Sequence, residues 1–377
     1  MNIIQVLRCI KTSQWGGTES VVLELSKSLQ KNENQVQIYT SPLPNNRDRT
    51  MIDQISIKKL LPIFPYCLQK NLQIIHWHQG LKIAKVVRKM ADFYRVPYFA
   101  TLHGSTDSLR AYLDDSLNPN NYFKPEDKIF YEQAEALFCV GQEEHEVAQQ
   151  VFPNNRVLLT PNGVDMDRFR NGNGKRIREE LAIPNDARVL LCVARIDEKK
   201  NQMLLVEALS ELRKTDQSIY LLLAGRTTAP EYEEKLLDRI DELSLQPYVK
   251  QLKDFNPLSS TIADIYDAAD IFVLPSFEES FGIVILEAWA SQKSVIASKV
   301  GGIPFFVEHE KDALLFESDH LSDLLKQINC LLYNSEYAQT LAEAGKKKAE
   351  SQYNWCRISS IVEDTYRKSL ESRGVVV

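Results

Sequence analysis

The sequence predicts an α/β protein made of two domains, each built on a doubly wound parallel sheet. Its 377 residues are more than one hydrophobic core usually supports. Short apolar runs alternate with longer helical patterns, as they do in repeated βαβ units. This alternation begins again after a turn-rich stretch in the middle of the chain. Sheets of this kind bind ligands in the crevice at the carboxyl ends of their strands.

The first half of the chain begins with a predicted strand, Asn2 to Leu7, and a loop that ends at Gly16-Gly17. Thr18 then opens a helix whose apolar residues recur at helical spacing. Residues 41–70 are predicted to be irregular, because four prolines interrupt them. Further strands are predicted over 36–40, 73–77, 98–102 and 137–140.

The second half repeats this organisation after a linker. Turn dipeptides and prolines between Pro161 and Pro184 indicate the boundary. We therefore predict an N-terminal domain over 1–163, a linker over 164–186, a C-terminal domain over 187–350 and a helical segment over 351–377. Strands of the second domain are predicted over 188–193, 219–224, 248–253, 271–274 and 294–297.

Composition excludes several classes of protein. No apolar stretch is long enough to span a bilayer, and no basic region precedes a long apolar one at the N-terminus. The six cysteines form no CxxC pair, which is typical of reduced thiols and not of a disulfide framework or zinc site. We therefore expect a cytoplasmic protein, with no resident metal and no nucleic-acid partner.

The densest chemical signal is the run Pro275 to Ala288, which follows a predicted buried strand. Phe281, Gly282 and Ile283 would present successive backbone N–H groups at the start of a helix, where anions bind. Glu279 and Glu287 lie on either side of these donors, and carboxylates accept hydrogen bonds well from sugar hydroxyls. An isolated pair of this kind would more simply be one capping and one exposed glutamate.

Two further sites support a ligand with a diphosphate. Arg195 and Lys200 lie five residues apart after the first strand of the second domain, a spacing that can clamp a diphosphate. Taken alone, that segment would be a solvated charged turn. Gly16 and Gly17 would let backbone approach phosphate after the first strand. The GxGxxG and Walker fingerprints are absent, which disfavours hydride transfer and P-loop chemistry.

These motifs together resemble the retaining glycosyltransferases of family 4, which have the GT-B fold. The resemblance is carried by Trp15-Gly16-Gly17-Thr18-Glu19, Thr101-Leu102-His103-Gly104, Pro161-Asn162-Gly163-Val164-Asp165, Arg195 with Lys200, Glu279-x7-Glu287 and Gly301-Gly302. They occur in the family's order and span about residues 1–310. The resemblance implies two Rossmann-like domains that face each other across a cleft.

The resemblance also implies a role for each residue. Gly16 and Gly17 would lie against the donor diphosphate, and Arg195 and Lys200 would neutralise it as it leaves. Glu279 would hold hydroxyls of the transferred sugar, Glu287 would hold the nucleotide ribose, and His103 would lie near the reacting bond. Phe281, Gly282 and Ile283 complete the donor-binding set. The family transfers sugar with retention at the anomeric carbon and without a bound metal ion.

The function expected from this resemblance is transfer of a hexose-type sugar from a nucleotide sugar, UDP- or GDP-linked, to a sugar or lipid-linked acceptor. Such a reaction belongs to the assembly of cell-surface polysaccharide, lipopolysaccharide or glycolipid. Two alternatives stay open: a GT-B-like sugar-nucleotide epimerase or phosphorylase, and a non-catalytic sugar-nucleotide-binding protein. No cofactor is expected beyond the donor substrate.

Two histidines and two aspartates invite a metal-site interpretation that we do not adopt. Asp165-x-Asp167 matches a metal-binding pattern of other glycosyltransferases, but it follows Pro-Asn-Gly, so turn and cap chemistry is expected. His76 and His78 would share one face of a strand with no evident third ligand. We expect them to line the cleft.

The N-terminal domain also carries a candidate membrane-contacting helix, over residues 82–95. Residues 1–95 contain 14 Lys/Arg and 6 Asp/Glu, and this helix combines a basic band with an apolar stripe. Such a helix can rest among anionic headgroups, which predicts peripheral contact with the inner face of the membrane. The alternative is that the stripe packs on the sheet and leaves the lysines in water.

Overall fold

The computed structural model describes residues 1–7, 17–40, 49–52, 54–59, 71–78, 81–114, 125–253, 255 and 259–375. The chain divides into two compact units, each with its own parallel sheet. Unit 1 contains residues 1–162 and 355–377, and unit 2 contains residues 163–354. The predicted pair of α/β domains is confirmed.

Unit 1 is built on a sheet that has eight strands among the described residues. Their order across the sheet is β3-β4-β2-β1-β5-β6-β7-β8, and every pair is parallel except the antiparallel pair β3–β4. The strands are β1 (Asn2–Leu7), β2 (Gln35–Thr40), β3 (Arg49–Ile52), β4 (Ile55–Lys59), β5 (Ile74–Trp77), β6 (Tyr98–Leu102), β7 (Leu137–Cys139) and β8 (Val157–Leu159). Because β1 pairs with both β2 and β5, the strand order reverses there, and a ligand crevice is expected at the carboxyl ends of β1 and β5.

Helices connect these strands and cover the sheet. They are α1 (Gly17–Lys31), α2 (Leu81–Tyr94), α3 (Thr106–Arg110), α4 (Pro125–Glu132), α5 (Gln142–Val151) and, from the end of the chain, α14 (Trp355–Ser372). The buried hydroxyl of Ser28 on α1 lies 2.8 Å from that of Ser359 and 3.2 Å from the carbonyl oxygen of Trp355, both on α14. These contacts fasten the last helix to the first.

Unit 2 is built on a fully parallel sheet of six strands among the described residues, in the order β11-β10-β9-β12-β13-β14. The strands are β9 (Arg188–Val193), β10 (Ile219–Ala224), β11 (Val249–Leu252), β12 (Ile271–Leu274), β13 (Ser294–Ser298) and β14 (Leu314–Phe316). This is the dinucleotide-binding strand order, which reverses between β9 and β12. The helices are α6 (Gly174–Glu180), α7 (Gln202–Leu212), α8 (Pro230–Glu242), α9 (Thr261–Asp267), α10 (Ile283–Ala290), α11 (Ile303–Phe306), α12 (Leu321–Leu332) and α13 (Ser335–Gln352).

Both faces of this sheet are buried, which explains why its strands are continuous apolar runs in the sequence. Leu191 and Phe272 belong to the hydrophobic cluster on one face, whereas Leu190 and Val273 belong to the cluster on the other. Successive side chains of a strand point to opposite faces, so one strand supplies two cores.

Three sequence predictions differ from the structure. Within 41–70, predicted to be irregular, the strands β3 and β4 form, because β4 pairs with β2 and β3 pairs with β4, and these hydrogen bonds cannot be read from the local sequence. Residues 164–186, predicted as a linker, lie instead in unit 2, where α6 packs on α9 and the backbone N–H of Asn173 donates to the buried carboxylate of Asp264 at 2.6 Å. The predicted segment 351–377 is divided: α13 ends at Gln352 in unit 2, and α14 belongs to unit 1.

Gly345 on α13 permits a close contact with α10, the helix that carries Glu287. A Cβ atom at this position would lie 2.3 Å from Cδ1 of Trp289, whose side chain is fully buried and donates from Nε1 to the carbonyl oxygen of Asp312 at 3.0 Å. In an unconstrained helix, Gly→Ala is stabilising by about 1 kcal/mol. Here the added methyl group requires Trp289 to move.

We therefore expect Gly345→Ala to lower the free energy of unfolding by about 1–3 kcal/mol, the usual cost of overpacking a core. Urea denaturation of the purified protein measures it. Ser351→Ala, on an exposed part of the same helix, should change stability by less than about 0.5 kcal/mol. A gain in stability for Gly345→Ala would mean that helix propensity outweighs the contact with Trp289.

Candidate functional site

The first half of the candidate site in unit 2 is the loop that leaves β9. Its residues 198–200 form one 3-10 turn, and Asn201, at φ +49°, leads from this turn into α7. The buried side chain of Gln202 donates from Nε2 to the carbonyl oxygen of Arg195 at 2.7 Å. This bond fixes the loop that carries Arg195 and Lys200.

The second half is the loop that leaves β12, the neighbouring strand. The Glu279 carboxylate Oε1 lies 2.5 Å from Lys200 Nζ and accepts a hydrogen bond from the Ser276 hydroxyl at 3.1 Å. Both members of this ion pair are largely buried, with side-chain exposures of 14% for Lys200 and 11% for Glu279. A backbone bond of 2.8 Å from Phe277 N–H to the Lys199 carbonyl oxygen joins the two loops. The structure thus brings together two of the predicted site residues.

Arg195 differs from Lys200 in its exposure. Its side chain is 47% exposed, and its nearest carboxylate oxygen is Asp197 Oδ2, 3.4 Å from Nη2. That same oxygen accepts the hydroxyl of Thr228 at 2.9 Å. The guanidinium is therefore oriented by a carboxylate while much of it remains open to solvent.

The glycine pair Gly301-Gly302 is explained by its contact with the Glu279 loop. Gly301 has φ +51°, and a Cβ atom there would lie 1.9 Å from the Glu279 carbonyl oxygen. The N–H of Gly302 donates to that same oxygen at 2.9 Å. A side chain at either glycine would displace the loop that holds Glu279.

The N-terminus of α10 follows this loop directly. Gly282, at φ +88°, is the N-cap residue, and the helix begins at Ile283, as the sequence predicted. The first N–H groups of a helix lack intrahelical acceptors and carry partial positive charge. Phe281 is buried, and its ring stacks on Phe306 with centroids 4.5 Å apart.

Glu287 lies further along α10 and is partly buried. Its Oε2 accepts a hydrogen bond of 2.8 Å from the hydroxyl of Tyr266, whose pKa is raised well above its usual value by burial and by this carboxylate. The phenol therefore stays protonated and orients the carboxylate. Unit 2 thus presents two cations, two oriented carboxylates and a helix N-terminus on neighbouring elements, a set suited to a ligand with anionic and hydroxyl groups.

Unit 1 contains a cluster of three histidines near the carboxyl ends of β5 and β6. The rings of His76 and His78 have centroids 4.1 Å apart, as expected for one strand face, and His78 Nδ1 lies 3.1 Å from His103 Nε2. Burial lowers the pKa of His76 and His78 well below the usual histidine value and that of His103 to about 4. All three imidazoles are therefore neutral at pH 7.

The loop after His103 is held by a carboxylate that the sequence did not single out. Glu144 on α5 accepts hydrogen bonds from the backbone N–H of Ser105 at 2.6 Å and of Val140 at 3.1 Å. Further bonds from Gly104 and Gly141 lower its pKa, although burial raises the pKa by more. Glu144 is only 2% exposed, so it serves as an internal clamp between the loops after β6 and β7.

Several predicted residues remain outside these clusters. Gly16 lies outside the described residues, and Gly17 is the exposed first residue of α1. Asp165 Oδ1 accepts the backbone N–H of Asp167 at 3.1 Å, a contact typical of the turn that the sequence predicted. Within the part of the chain that the structure describes, no three or more His, Cys, Asp or Glu side chains are grouped as a metal site would require.

The sequence analysis missed Gln5, Tyr366 and Glu144, which hold the histidine cluster or its loop in place, and it named Thr101 only as part of a motif. Gln5 carried one available signal, since it is the polar residue inside the apolar run Asn2–Leu7. A polar residue in such a strand requires a buried partner. Tyr366 and Glu144 carried no local signal, because they come from distant elements.

Comparison with known proteins gives two family matches that together cover most of the chain. Residues 15–168 match the family described as Glycosyltransferase Family 4, and residues 173–348 match that described as Glycosyl transferases group 1. A D-inositol 3-phosphate glycosyltransferase from Corynebacterium glutamicum is 27% identical over 311 residues, covering 80% of this chain and 73% of that protein.

Solved structures share the fold over nearly the full length. A sucrose-phosphate synthase from Thermosynechococcus elongatus has a TM-score of 0.79 at 21% identity, covering 99% of this chain and 100% of its own. HepE of Anabaena, solved in complex with UDP-glucose, has a TM-score of 0.76 at 18% identity, covering 98% and 100%.

The neutral state of the histidine cluster predicts how stability depends on pH. Below pH 6.5 the unfolded chain binds protons that the folded cluster does not, so stability is lost as pH falls. For His103 the loss should continue to about pH 4, at about 1.4 kcal/mol per pH unit once its unfolded form is protonated. His103→Asn should therefore flatten the fall in the free energy of unfolding between pH 6.5 and 4, measured by urea denaturation.

Ser351→Ala is the control, because this exposed serine of unit 2 has no group that titrates between pH 6.5 and 4. It should leave the pH dependence of unfolding unchanged. An equal effect of the two substitutions on the pH dependence of unfolding would contradict a neutral His103.

Proposed function

The chain belongs to glycosyltransferase family 4 and has the GT-B fold, and from this premise we propose that it is a retaining enzyme that moves a hexose-type sugar from a nucleotide sugar to an acceptor without a bound metal ion. The observation that carries the proposal is the buried contact between Lys200 and Glu279, with Arg195 on the same loop as Lys200. These residues lie on the loops after β9 and β12, where the strand order reverses and doubly wound sheets bind nucleotides.

In the proposed complex, Arg195 and Lys200 bind the donor diphosphate. The partly exposed guanidinium of Arg195 can form a bidentate contact with phosphate oxygens. Lys200 and the first N–H groups of α10, at Phe281, Gly282 and Ile283, add positive potential in the same region. Fixed donors of this kind stabilise a departing diphosphate without a metal, because they need no reorganisation as negative charge develops.

The carboxylates of Glu279 and Glu287 bind the sugar and the ribose of the donor in this proposal. Glu279, fixed by Lys200 and Ser276, has oxygen lone pairs available for hydroxyls of the sugar. Glu287, oriented by Tyr266, would accept hydrogen bonds from the ribose. In unit 1, His103 would face the transferred sugar, and Gly16 with Gly17 would approach the diphosphate.

The relatives support a choice of substrates to test first. HepE binds UDP-glucose, so UDP-linked hexoses are the first donors, followed by GDP-linked ones. The relatives named D-inositol 3-phosphate glycosyltransferases make a phosphorylated polyol the first soluble acceptor. Sugar and lipid-linked acceptors of cell-surface glycan assembly are the second group.

The proposal predicts how substitutions in the cation pair act. Arg195→Ala and Lys200→Ala should each lower kcat/KM by tens- to thousands-fold, because losing one partner of a desolvated anion costs about 2–5 kcal/mol. Glu279→Gln should also lower activity through weakened contacts to the sugar, whereas Glu287→Ala should chiefly raise KM for the donor. Lys199→Ala is the matched control, since its pair with Glu278 is exposed on both sides and it should retain activity.

The assay measures sugar transfer from UDP- and GDP-hexoses with and without acceptor, and with and without EDTA. Product whose anomeric configuration matches that of the donor, formed equally in EDTA, is the expected result. Turnover of the donor without an acceptor would favour an epimerase. Wild-type activity of the Arg195→Ala/Lys200→Ala double variant, or strict dependence on a divalent ion, would overturn the proposed donor site.

The structure limits which residues of α2 could contact a membrane. The stripe residues Val87 and Met90 are buried in the core of unit 1, so they are not available to a bilayer. Lys85, Arg88, Lys89 and Phe93 are exposed, Phe93 by 52%. Among the described residues, the structure contains no helix with the length and apolarity to cross a membrane. We propose electrostatic contact with an anionic surface, strengthened by Phe93.

Flotation with liposomes tests this contact. Binding should require anionic lipid, fall with salt and weaken in Lys85→Glu/Lys89→Glu, since each basic residue near such a surface contributes about 1 kcal/mol. Lys235→Glu/Lys347→Glu makes the same change in net charge at exposed positions of unit 2 and should bind like the wild type. Absence of flotation at low salt would contradict the proposed membrane contact and favour a soluble acceptor.

A further inference from the structure

A line of three hydrogen-bonding side chains leads from the centre of the unit 1 sheet to His103. It starts at Gln5 in β1, whose Oε1 lies 2.5 Å from Nε2 of His78. It continues from Nδ1 of His78 to Nε2 of His103, at 3.1 Å. Gln5 is fully buried and His78 is 2% exposed, so water does not replace either partner. The strands β1, β5 and β6 are neighbours in the sheet, and His78 and His103 lie just after the ends of β5 and β6.

With the Gln5 amide oriented as it is in the structure, the first bond in this line has a single direction. An amide oxygen accepts hydrogen bonds and cannot donate them, so Nε2 of His78 carries the proton between the two atoms. Burial keeps His78 neutral, with a pKa well below the usual histidine value, and a neutral imidazole has a single N–H. Nδ1 of His78 therefore carries a lone pair and no proton.

The second bond then follows from the first. A lone pair at Nδ1 of His78 requires a donor opposite it, and that donor is Nε2 of His103. His103 is also neutral at pH 7, because burial lowers its pKa to about 4. With its proton on Nε2, the remaining nitrogen of His103, Nδ1, is an acceptor.

We propose that Gln5 is a positioning residue that acts through His78 to hold His103 in the Nε2–H tautomer. The hydrogen bond at one ring nitrogen of a histidine sets which nitrogen carries the proton. Here Gln5 sets the proton position of His78, and His78 in turn sets that of His103. His103 then offers a lone pair to its ligand, which suits the O–H donor of a sugar hydroxyl and not a phosphate oxygen. Only this identification of the ligand rests on the proposed function.

His76 provides an internal comparison within the same cluster. Its Nδ1 lies 2.5 Å from the hydroxyl of Tyr366, and its Nε2 lies 2.7 Å from that of Thr101. A hydroxyl group can donate or accept, so neither partner fixes the tautomer of His76. Direct contact with the Gln5 amide oxygen is what distinguishes the line to His103, since Gln5 acts on His76 only through Tyr366.

The test is the two-bond ¹H–¹⁵N correlation spectrum of the full chain, labelled with ¹⁵N-histidine, at neutral pH and without substrate. The chain has six histidines, which single substitutions assign. We expect His78 and His103 each to show a protonated Nε2 and an unprotonated Nδ1. The reverse pattern at both residues would mean that the Gln5 amide presents its N–H₂ group to His78, and it would overturn the proposal.

Two variants separate positioning from a merely structural role. Gln5→Met keeps the side-chain length but removes the acceptor, so the ¹⁵N shifts of His103 should move toward the average of two exchanging tautomers. Thr101→Val removes a neighbour of His76 outside the line and should leave the His103 shifts in place. Unchanged His103 shifts in folded Gln5→Met would also overturn the proposal. Because the spectrum needs no substrate, absence of transferase activity would bear on the proposed function alone.

Discussion

In unit 2, β9 and β12 are neighbours in the sheet although β10 and β11 separate them in the chain, and the candidate donor site depends on this reversal of strand order. The two loops that follow these strands meet at one edge, so Lys200 and Glu279 form an ion pair although 79 positions separate them. Close approach is the second requirement. Gly301 leaves no room for a Cβ beside the Glu279 carbonyl oxygen, and Gly225, at φ +150°, leaves none beside that of Ala194. The backbone of the site is thus fixed before any ligand arrives.

The two units handle buried polar groups in different ways. In unit 2 the buried cation of Lys200 is paired with Glu279, so charge is retained and held in a defined geometry. An unpaired buried charge would be costly in free energy, so the ion pair keeps the two loops next to each other. In unit 1 the histidines avoid the cost of burying a charge by remaining neutral, and hydrogen bonds and ring contacts hold them in place. One unit is therefore suited to anionic groups and the other to neutral hydroxyl groups.

Periodicity predicted the strands well where both faces of the sheet are buried. Asn2–Leu7, Tyr98–Leu102 and Ile219–Ala224 begin and end where the apolar runs do. The failures are of another kind. The strands β3 and β4 lie in a proline-interrupted stretch, and β14 is only three residues long, so long-range pairing and not local preference defines them. Likewise, turn residues near Gly174 suggested a linker, but Gly172 and Gly174 permit close packing on α9.

The sequence by itself determined the fold class and most candidate donor-site residues, because these follow from local patterns: apolar runs, a glycine at a helix start, charged residues after a strand. It indicated the family through the resemblance of its motifs. Only the tertiary structure decided which of these residues touch. It paired Lys200 with Glu279, assigned Tyr266 to Glu287, and connected Gln5 and Glu144 to the histidine cluster and its loop. The physical reason is that hydrogen bonds and burial depend on distances between elements far apart in the chain. Strand order and helix packing set those distances, and no local pattern encodes them.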